Sequence, residues 1–407
     1  MNILFVSDVS ISDVIGGAER VLYEQSNRLA QKGHNIDILT RRLPGHDSDH
    51  ETIGNVREWR YDVDESSILS FYGSTQLNSR RLFESLHEKY SFECINLHQP
   101  FSSLGVVNSP LSKQLKKVYT CHSLSFEEYQ SRNPKTRSAF GNIMRWINSQ
   151  GRKEVEKKVL KVSDKIIVLS HYTQDKLWKA YKIPPHKIAI VPGGVDLDRF
   201  HPASDRMEIR RRLNIHEEKM ILLTIRNLVP RMGLESLILA MKTVTVGITD
   251  LLLIIGGSGP LKDDLIKSTQ ELGIEDHVKF VGFIPEEVLP EYYRAADIFV
   301  LPTAELEGFG LVTLEALACG TPVLGTPIGG TKEILGMFDP SYLFKDTGSE
   351  SIAGLIIEKC QQFKDSPDLW KSVSSQCRGF VQANYSWETN VNATARIFQK
   401  LLSEPQL

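Results

Sequence analysis

Apolar positions along the chain fall into two repeating patterns. Short continuous apolar runs occur at 3–6, 34–40, 94–98, 118–121, 165–170 and 188–192. Runs of this kind predict strands buried on both faces, as in a parallel sheet. Between them lie stretches with helical spacing, at about 18–32, ending at Gly33, and at about 76–89. Residues 42–66 are polar and show neither period. Alternation of this type predicts βαβ repetition and a doubly wound α/β domain.

The segment from Gly193 to Pro202 interrupts the alternation and leads into a charged stretch. Strand patterns restart at 220–225 and recur at 251–255, 278–281, 298–301 and 322–324. The expected organisation is therefore a first Rossmann-like domain over 1–196, a second over 197–385, and a closing helix over 386–407. Ser386 offers that helix an N-cap, and Trp387, Val391, Ile397 and Phe398 give it an apolar face to lay back on the first domain.

Length and composition agree with two soluble domains: 407 residues, 41% hydrophobic and 24% charged. No run approaches the ~18 apolar residues of a membrane span. The N-terminus reads as a first strand rather than a signal peptide, and the five cysteines show no metal or disulfide spacing, so a cytoplasmic setting is expected. Charge changes the picture in one place. Residues 132–165 hold ten basic side chains against three acidic ones, with Phe140, Ile143, Met144 and Ile147 at helical spacing. Such a helix either packs its stripe on its own domain or lies peripherally on an anionic membrane surface.

Candidate chemistry sits where strands end, because open α/β sheets bind ligands beyond the carboxyl ends of their strands. Those positions are Gly16-Gly17-Ala18-Glu19, the His98 loop, His122-Ser123, Arg226 to Gly233, Gly256 to Pro260, Gly282-Phe283 and the stretch from Glu307 to Val323. In the last, Gly308-Phe309-Gly310 turns the chain into a helix that opens at Leu311 and Val312. Free amides at that helix start form an anion site. Glu307 and Glu315 bracket it. A buried helix does not carry a Glu without a partner. Amides for phosphate and carboxylates for hydroxyls suit a ligand bearing both groups.

In this order and spacing, the segments 226–233, 256–261, 281–283 and 307–323 resemble the retaining glycosyltransferases of family 4, group 1. Gly16-Gly17-Ala18-Glu19, Ser170 and Gly193-Gly194-Val195-Asp196 are similar to the same family's first domain. The resemblance implies a GT-B fold, two Rossmann-like domains facing across a cleft. It implies transfer of a hexose from a UDP- or GDP-sugar to a hydroxyl of a saccharide or lipid-linked acceptor, by a front-face, metal-independent route and with no nucleic acid involved. By the same resemblance Glu307 meets donor-sugar hydroxyls and Glu315 the ribose. The amides of Phe309 to Val312 hold sugar and diphosphate, and Arg226 neutralises the leaving diphosphate. Gly257, Gly282 and Phe283 lie near the base. Gly17 lets the backbone approach the ligand, and His122 stands near the donor sugar. The family's usual Lys six residues after Arg226 is replaced by Met232, and Arg231 is the expected substitute.

Two rival readings have specific sequence tests. A nucleotide-sugar epimerase or dehydrogenase needs Gly-x-Gly-x-x-Gly directly after the first strand, and Ser7 to Ile15 contain none. A non-catalytic nucleotide-sugar-binding subunit draws support from Met232 alone. The pairs Asp62/Asp64 and Asp196/Asp198 match a loose Asp-x-Asp metal pattern without its strand context, so both are expected to be loop carboxylates and no metal or cofactor is expected.

Overall fold

A computed structural model describes residues 1–12 and 16–404. The loop predicted between Asp8 and Gly17 therefore includes three residues, 13–15, that lie outside the described ones. The chain divides into two compact units, 1–193 with 387–407, and 194–386.

The first unit is built from β1 (Asn2–Val6), α1 (Gly17–Gln31), β2 (Asn35–Arg41), β3 (His50–Ile53), β4 (Val56–Tyr61), α2 (Ile68–Tyr90) and β5 (Cys94–Leu97). It continues through α3 (Pro100–Val107), β6 (Lys116–Cys121), α4 (Ser125–Arg132), α5 (Ala139–Val162), β7 (Lys165–Val168), α6 (His171–Tyr181) and β8 (Ile188–Ile190). The second unit holds α7 (Arg206–Arg212), β9 (Met220–Ile225), α8 (Leu234–Gly247), β10 (Leu251–Gly256), α9 (Lys262–Glu271), β11 (Val278–Gly282) and α10 (Leu289–Ala295). It closes with β12 (Ile298–Leu301), α11 (Leu311–Ala318), β13 (Val323–Gly325), α12 (Gly329–Phe338), α13 (Ser349–Asp365) and α14 (Pro367–Asn384). The last helix, α15 (Trp387–Ser403), returns to the first unit.

The first sheet runs β3-β4-β2-β1-β5-β6-β7-β8 and the second β11-β10-β9-β12-β13. All pairings are parallel except β3 with β4. That antiparallel hairpin occupies the stretch in which the sequence showed no period, so the first sheet is not purely parallel. The reason is visible in β4: the face that should carry apolar residues carries Glu58 and Arg60, buried and joined at 2.9 Å. Glu58 also accepts hydrogen bonds from the Ser10 hydroxyl and the Ile11 amide.

In each sheet the strand order reverses once, between β1 and β5 and between β9 and β12. These switch points open a crevice at the carboxyl ends of the strands. α15 lays Val391, Ala395, Phe398 and Leu401 into the cluster that also holds Leu22 and Leu29 of α1. The Asn390 amide fixes its start by donating to the Pro192 carbonyl at 2.7 Å and accepting from the Gln25 amide at 2.9 Å. The basic segment begins at the last residue of α4, passes the residues around Pro134 and forms α5. The latter half of α5 packs on its own unit through Val159 and Leu160. Its first turns leave Phe140 (73%) and Trp146 (62%) exposed, with Ile143 and Ile147 beside them. No helix among the described residues is long and apolar enough to cross a membrane.

Candidate active site

The second unit gathers its polar chemistry at the β9/β12 switch point. Arg226 directly follows β9, and its amide donates to the Gly256 carbonyl at the end of β10. Its guanidinium Nη2 donates to Glu307 Oε2 at 2.6 Å and to Thr303 Oγ1 at 3.1 Å. Thr303 Oγ1 in turn donates to Glu307 Oε2 at 3.2 Å. The side chains of Arg226 and Glu307 are only 7% and 11% exposed. Charge-assisted bonds in so enclosed a place hold both groups in one geometry.

Met232, where the family usually has Lys, is buried, and its sulfur lies 2.8 Å from Arg226 Nη2. Arg231 is the expected substitute for that Lys. Its Nη1 donates to the Leu306 carbonyl at 3.1 Å, and its own carbonyl accepts from the amides of Ala304 and Glu305. It thus braces the loop that leads into Glu307. Leu306 holds a left-handed φ of 59° there, a conformation that such bracing sustains in a bulky residue.

Gly310, at φ 91°, caps α11, and no side chain accepts from the helix's first turn. The amides that open α11 at Leu311 and Val312 therefore meet no capping side chain, as an anion site requires. Glu315 lies farther along α11, and the Tyr293 hydroxyl donates to its Oε2 at 2.9 Å. Burial, and secondly the Glu315 carboxylate, push the Tyr293 phenol well above its usual range, so it remains a donor. The partner that a buried Glu requires is thus present on α10.

The sequence reading missed the wall behind this loop. Gly329 and Gly330 open α12, and the Gly330 amide donates to the Glu307 carbonyl at 2.9 Å. Thr313 and Thr331 each have a buried hydroxyl with no hydrogen-bond partner among the described residues, and a Cβ on Gly310 would meet both oxygens, at 3.2 and 2.8 Å. The available signal was a Gly-Gly pair just past the carboxyl end of β13, the same kind of position that singled out Gly256-Gly257. The Gly257 amide donates to the Gly282 carbonyl at 2.6 Å, and Phe283 next to it is an exposed ring.

Gly16, Gly17 and His122 belong to the first unit. Gly16 is the N-cap of α1, with no side-chain cap, and Gly17 opens the helix. His122 follows β6, and its Nε2 lies 3.0 Å from His98 Nδ1. The carboxylates Asp62 and Asp196 are spent locally, on Arg42 and on the amides of Asp198 and Arg199. No group of three or more His, Cys, Asp or Glu side chains suited to a metal ion occurs among the described residues.

Comparison with known proteins places this geometry in a family. Residues 205–365 match the model of glycosyl transferases group 1, and residues 15–199 that of glycosyltransferase family 4. A GDP-mannose-dependent alpha-(1-6)-phosphatidylinositol monomannoside mannosyltransferase of Mycobacterium tuberculosis is 28% identical over 263 residues, covering 62% of this chain and 66% of that protein. The chain thus spans slightly under two thirds of that relative. A GDP-mannose-dependent monoacylated alpha-(1-6)-phosphatidylinositol monomannoside mannosyltransferase of Corynebacterium glutamicum is 30% identical, with 66% and 70% covered. Among solved structures, sucrose-phosphate synthase from Thermosynechococcus elongatus superposes with a TM-score of 0.81 at 25% identity, covering 99% of each chain. The chain belongs to the group 1 glycosyltransferases of family 4 and has their GT-B fold.

Proposed function

We propose that the chain is a retaining glycosyltransferase that moves a hexose from a nucleoside-diphosphate sugar to a hydroxyl of a saccharide or lipid-linked acceptor, without a metal. The observation that carries this reading is the buried Arg226–Glu307 pair beside the uncapped start of α11. Arg226 and the amides of Phe309 to Val312 would take the diphosphate, whose charge grows as the glycosidic bond breaks, so they stabilise the transition state more than the ground state. Glu307 would hold sugar hydroxyls, and Glu315 would meet the ribose. Arg231 serves this site by bracing Leu306. Gly257, Gly282 and Phe283 would lie near the base. Attack from the front face lets the departing diphosphate oxygen accept the acceptor's proton, so no separate protein base is required. The two mannosyltransferases use GDP-mannose according to their names, which puts that donor ahead of UDP-sugars.

A thermal-shift panel of GDP-, UDP- and ADP-sugars tests the donor. A ligand that binds the folded state at 100 times its Kd adds about 2.7 kcal/mol of stability. GDP-mannose is expected to raise Tm by several degrees; no shift with any nucleotide sugar would remove the reading. Slow hydrolysis of the bound donor separates an enzyme from a non-catalytic binding subunit.

The exposed face of α5 favours a peripheral place on the cytoplasmic side of an anionic membrane, which suits a lipid-linked acceptor. The apolar side chains Phe140, Ile143, Trp146 and Ile147 lie on its first turns, after Lys135 and Arg137. Farther along, Lys153 lies 5.0 Å from the Phe126 ring centre and Lys157 pairs with Glu154 on the same helix, while Lys158 and Lys161 stay exposed without large apolar side chains of comparable exposure beside them until Val162. Substitution should therefore target the first turns. Vesicles containing phosphatidylserine should co-sediment the wild type and release the Ile143→Glu, Trp146→Glu double variant. A wild type that stays in the supernatant ends the membrane reading.

A further inference from the structure

Glu315 must meet its ligand from the side of a helix that is buried along almost its whole length. Its own side chain is 8% exposed. A glutamate loses much rotamer freedom when it is fixed, so a carboxylate ordered before the ligand arrives binds it at lower entropic cost. The neighbouring helix supplies that order. Tyr293 lies in the last turn of α10, is 0% exposed, and donates its hydroxyl to Glu315 Oε2 at 2.9 Å.

The phenol oxygen is itself held in place. The ring of Tyr293 makes edge contacts with Phe299, at 5.3 Å between centres, and with Phe200, at 6.0 Å. Its backbone is tied from the other side, where the Tyr293 carbonyl accepts from Thr321 Oγ1 at 2.7 Å. Thr321 lies just past the end of α11, and its amide donates to the Ala316 carbonyl at 3.0 Å. Tyr293 therefore grips α11 at two places, the Glu315 carboxylate and the chain beyond the helix end. Turning α11 about its axis would break one of them. A phenylalanine would fill the same ring space, so the hydroxyl adds only the bond to Glu315. That bond is neutral on the donor side. It directs the carboxylate without cancelling its charge, and a carboxylate accepts only, which favours ligand groups that donate, such as hydroxyls.

We propose that Tyr293 is a positioning residue for nucleotide recognition: by holding Glu315 Oε2 it sets the carboxylate to receive ribose hydroxyls, and so fixes how strongly the site prefers a ribonucleotide to its dideoxy analogue. The ribose contact rests on the glycosyl-transfer reading; the hold of Tyr293 on Glu315 does not.

Titrations of the full chain with GDP, UDP and ADP and with their 2′,3′-dideoxy analogues decide it. The wild type is expected to bind its ribonucleotide at least about tenfold more tightly than the dideoxy form. In Tyr293→Phe that preference should shrink to about twofold, with affinity for the dideoxy nucleotide changed less than about twofold. A packing role alone would weaken both nucleotides equally, so an unchanged preference overturns the proposal, whatever happens to Tm. Glu315→Gln should lose the preference too, and adding Tyr293→Phe to it should change the preference no further. A further loss confined to the ribonucleotide would mean that Tyr293 acts by a route other than Glu315, and would also overturn the proposal. If Tyr293→Phe does not fold, the comparison of Glu315→Gln with the double variant still decides it. A wild type that binds both forms equally defeats the proposal alone, whereas one that binds none of the nucleotides removes the donor reading and the proposal with it.

Discussion

Glu307→Gln is expected to lower transfer at least ~100-fold while leaving the fold intact, and Glu307→Ala to lose both activity and stability. The difference follows from Arg226. Its guanidinium is buried and draws on Glu307 at 2.6 Å, with Thr303 and the Met232 sulfur as its other partners at Nη2, and its Nε has no hydrogen-bond partner among the described residues. Alanine leaves that charge in a nearly closed site, a change that costs about 3–5 kcal/mol when one member of a buried pair is removed. Glutamine keeps an oxygen in place for Arg226 and Thr303 and gives up only the charge. A loss of activity in the alanine variant alone would therefore be ambiguous. The double variant Arg226→Met, Glu307→Leu removes both charges at similar volume and should regain the wild-type melting temperature, since such replacements are often neutral or stabilising. It should stay inactive, because neither the diphosphate nor the sugar hydroxyls then have their partner. Wild-type-like turnover by Glu307→Gln would dismiss Glu307 as a donor ligand.

That pair also shows what the sequence could carry. The central strands of the second unit were readable because they are covered on both faces, so that every residue of Leu251–Gly256 is buried and the apolar run is continuous. β4 was hidden because its interior positions hold an ion pair instead of two apolar residues. The start of α2 was also missed. Ile68 and Leu69 are exposed, so they add no amphipathic signal, while the one local cue was Ser67, whose hydroxyl accepts from the Ser70 amide. The two glutamates could be paired with each other because they lie only eight positions apart, with the turn between them. Their partners could not. Tyr293 lies 22 residues before Glu315 and Arg226 lies 81 before Glu307, separations at which only the folded sheet brings side chains together. The same limit applies to His98, which the sequence places at a strand end but whose contact with His122 only the folded sheet supplies.

Gly330→Ala should cost stability and weaken nucleotide-sugar binding more than tenfold, although the substitution ordinarily favours a helix. Gly330 lies in the first turn of α12, and its φ is not in the left-handed region. By propensity alone, alanine would gain up to about 1 kcal/mol there. Space reverses the sign. A Cβ at this position would come within 2.4 Å of Phe309 Cα and of the Phe309 carbonyl oxygen. Both are backbone atoms, so no rotamer change relieves the overlap, and the loop that ends in Gly310 must move. Forcing an extra methyl into a packed place costs about 1–3 kcal/mol, enough to cancel the propensity gain and leave a net loss. The moved atoms belong to the segment proposed to present its amides to the diphosphate, so affinity should fall by more than stability does. Gly336→Ala, in the same helix, is the control: nothing lies within 4 Å of its Cβ, and it should stabilise the protein by about 0.5–1 kcal/mol without touching affinity. Urea melts and nucleotide-sugar titrations on the two variants separate the effects. If Gly330→Ala binds the donor as the wild type does, the Phe309–Val312 amides are not the diphosphate site, whatever happens to Tm.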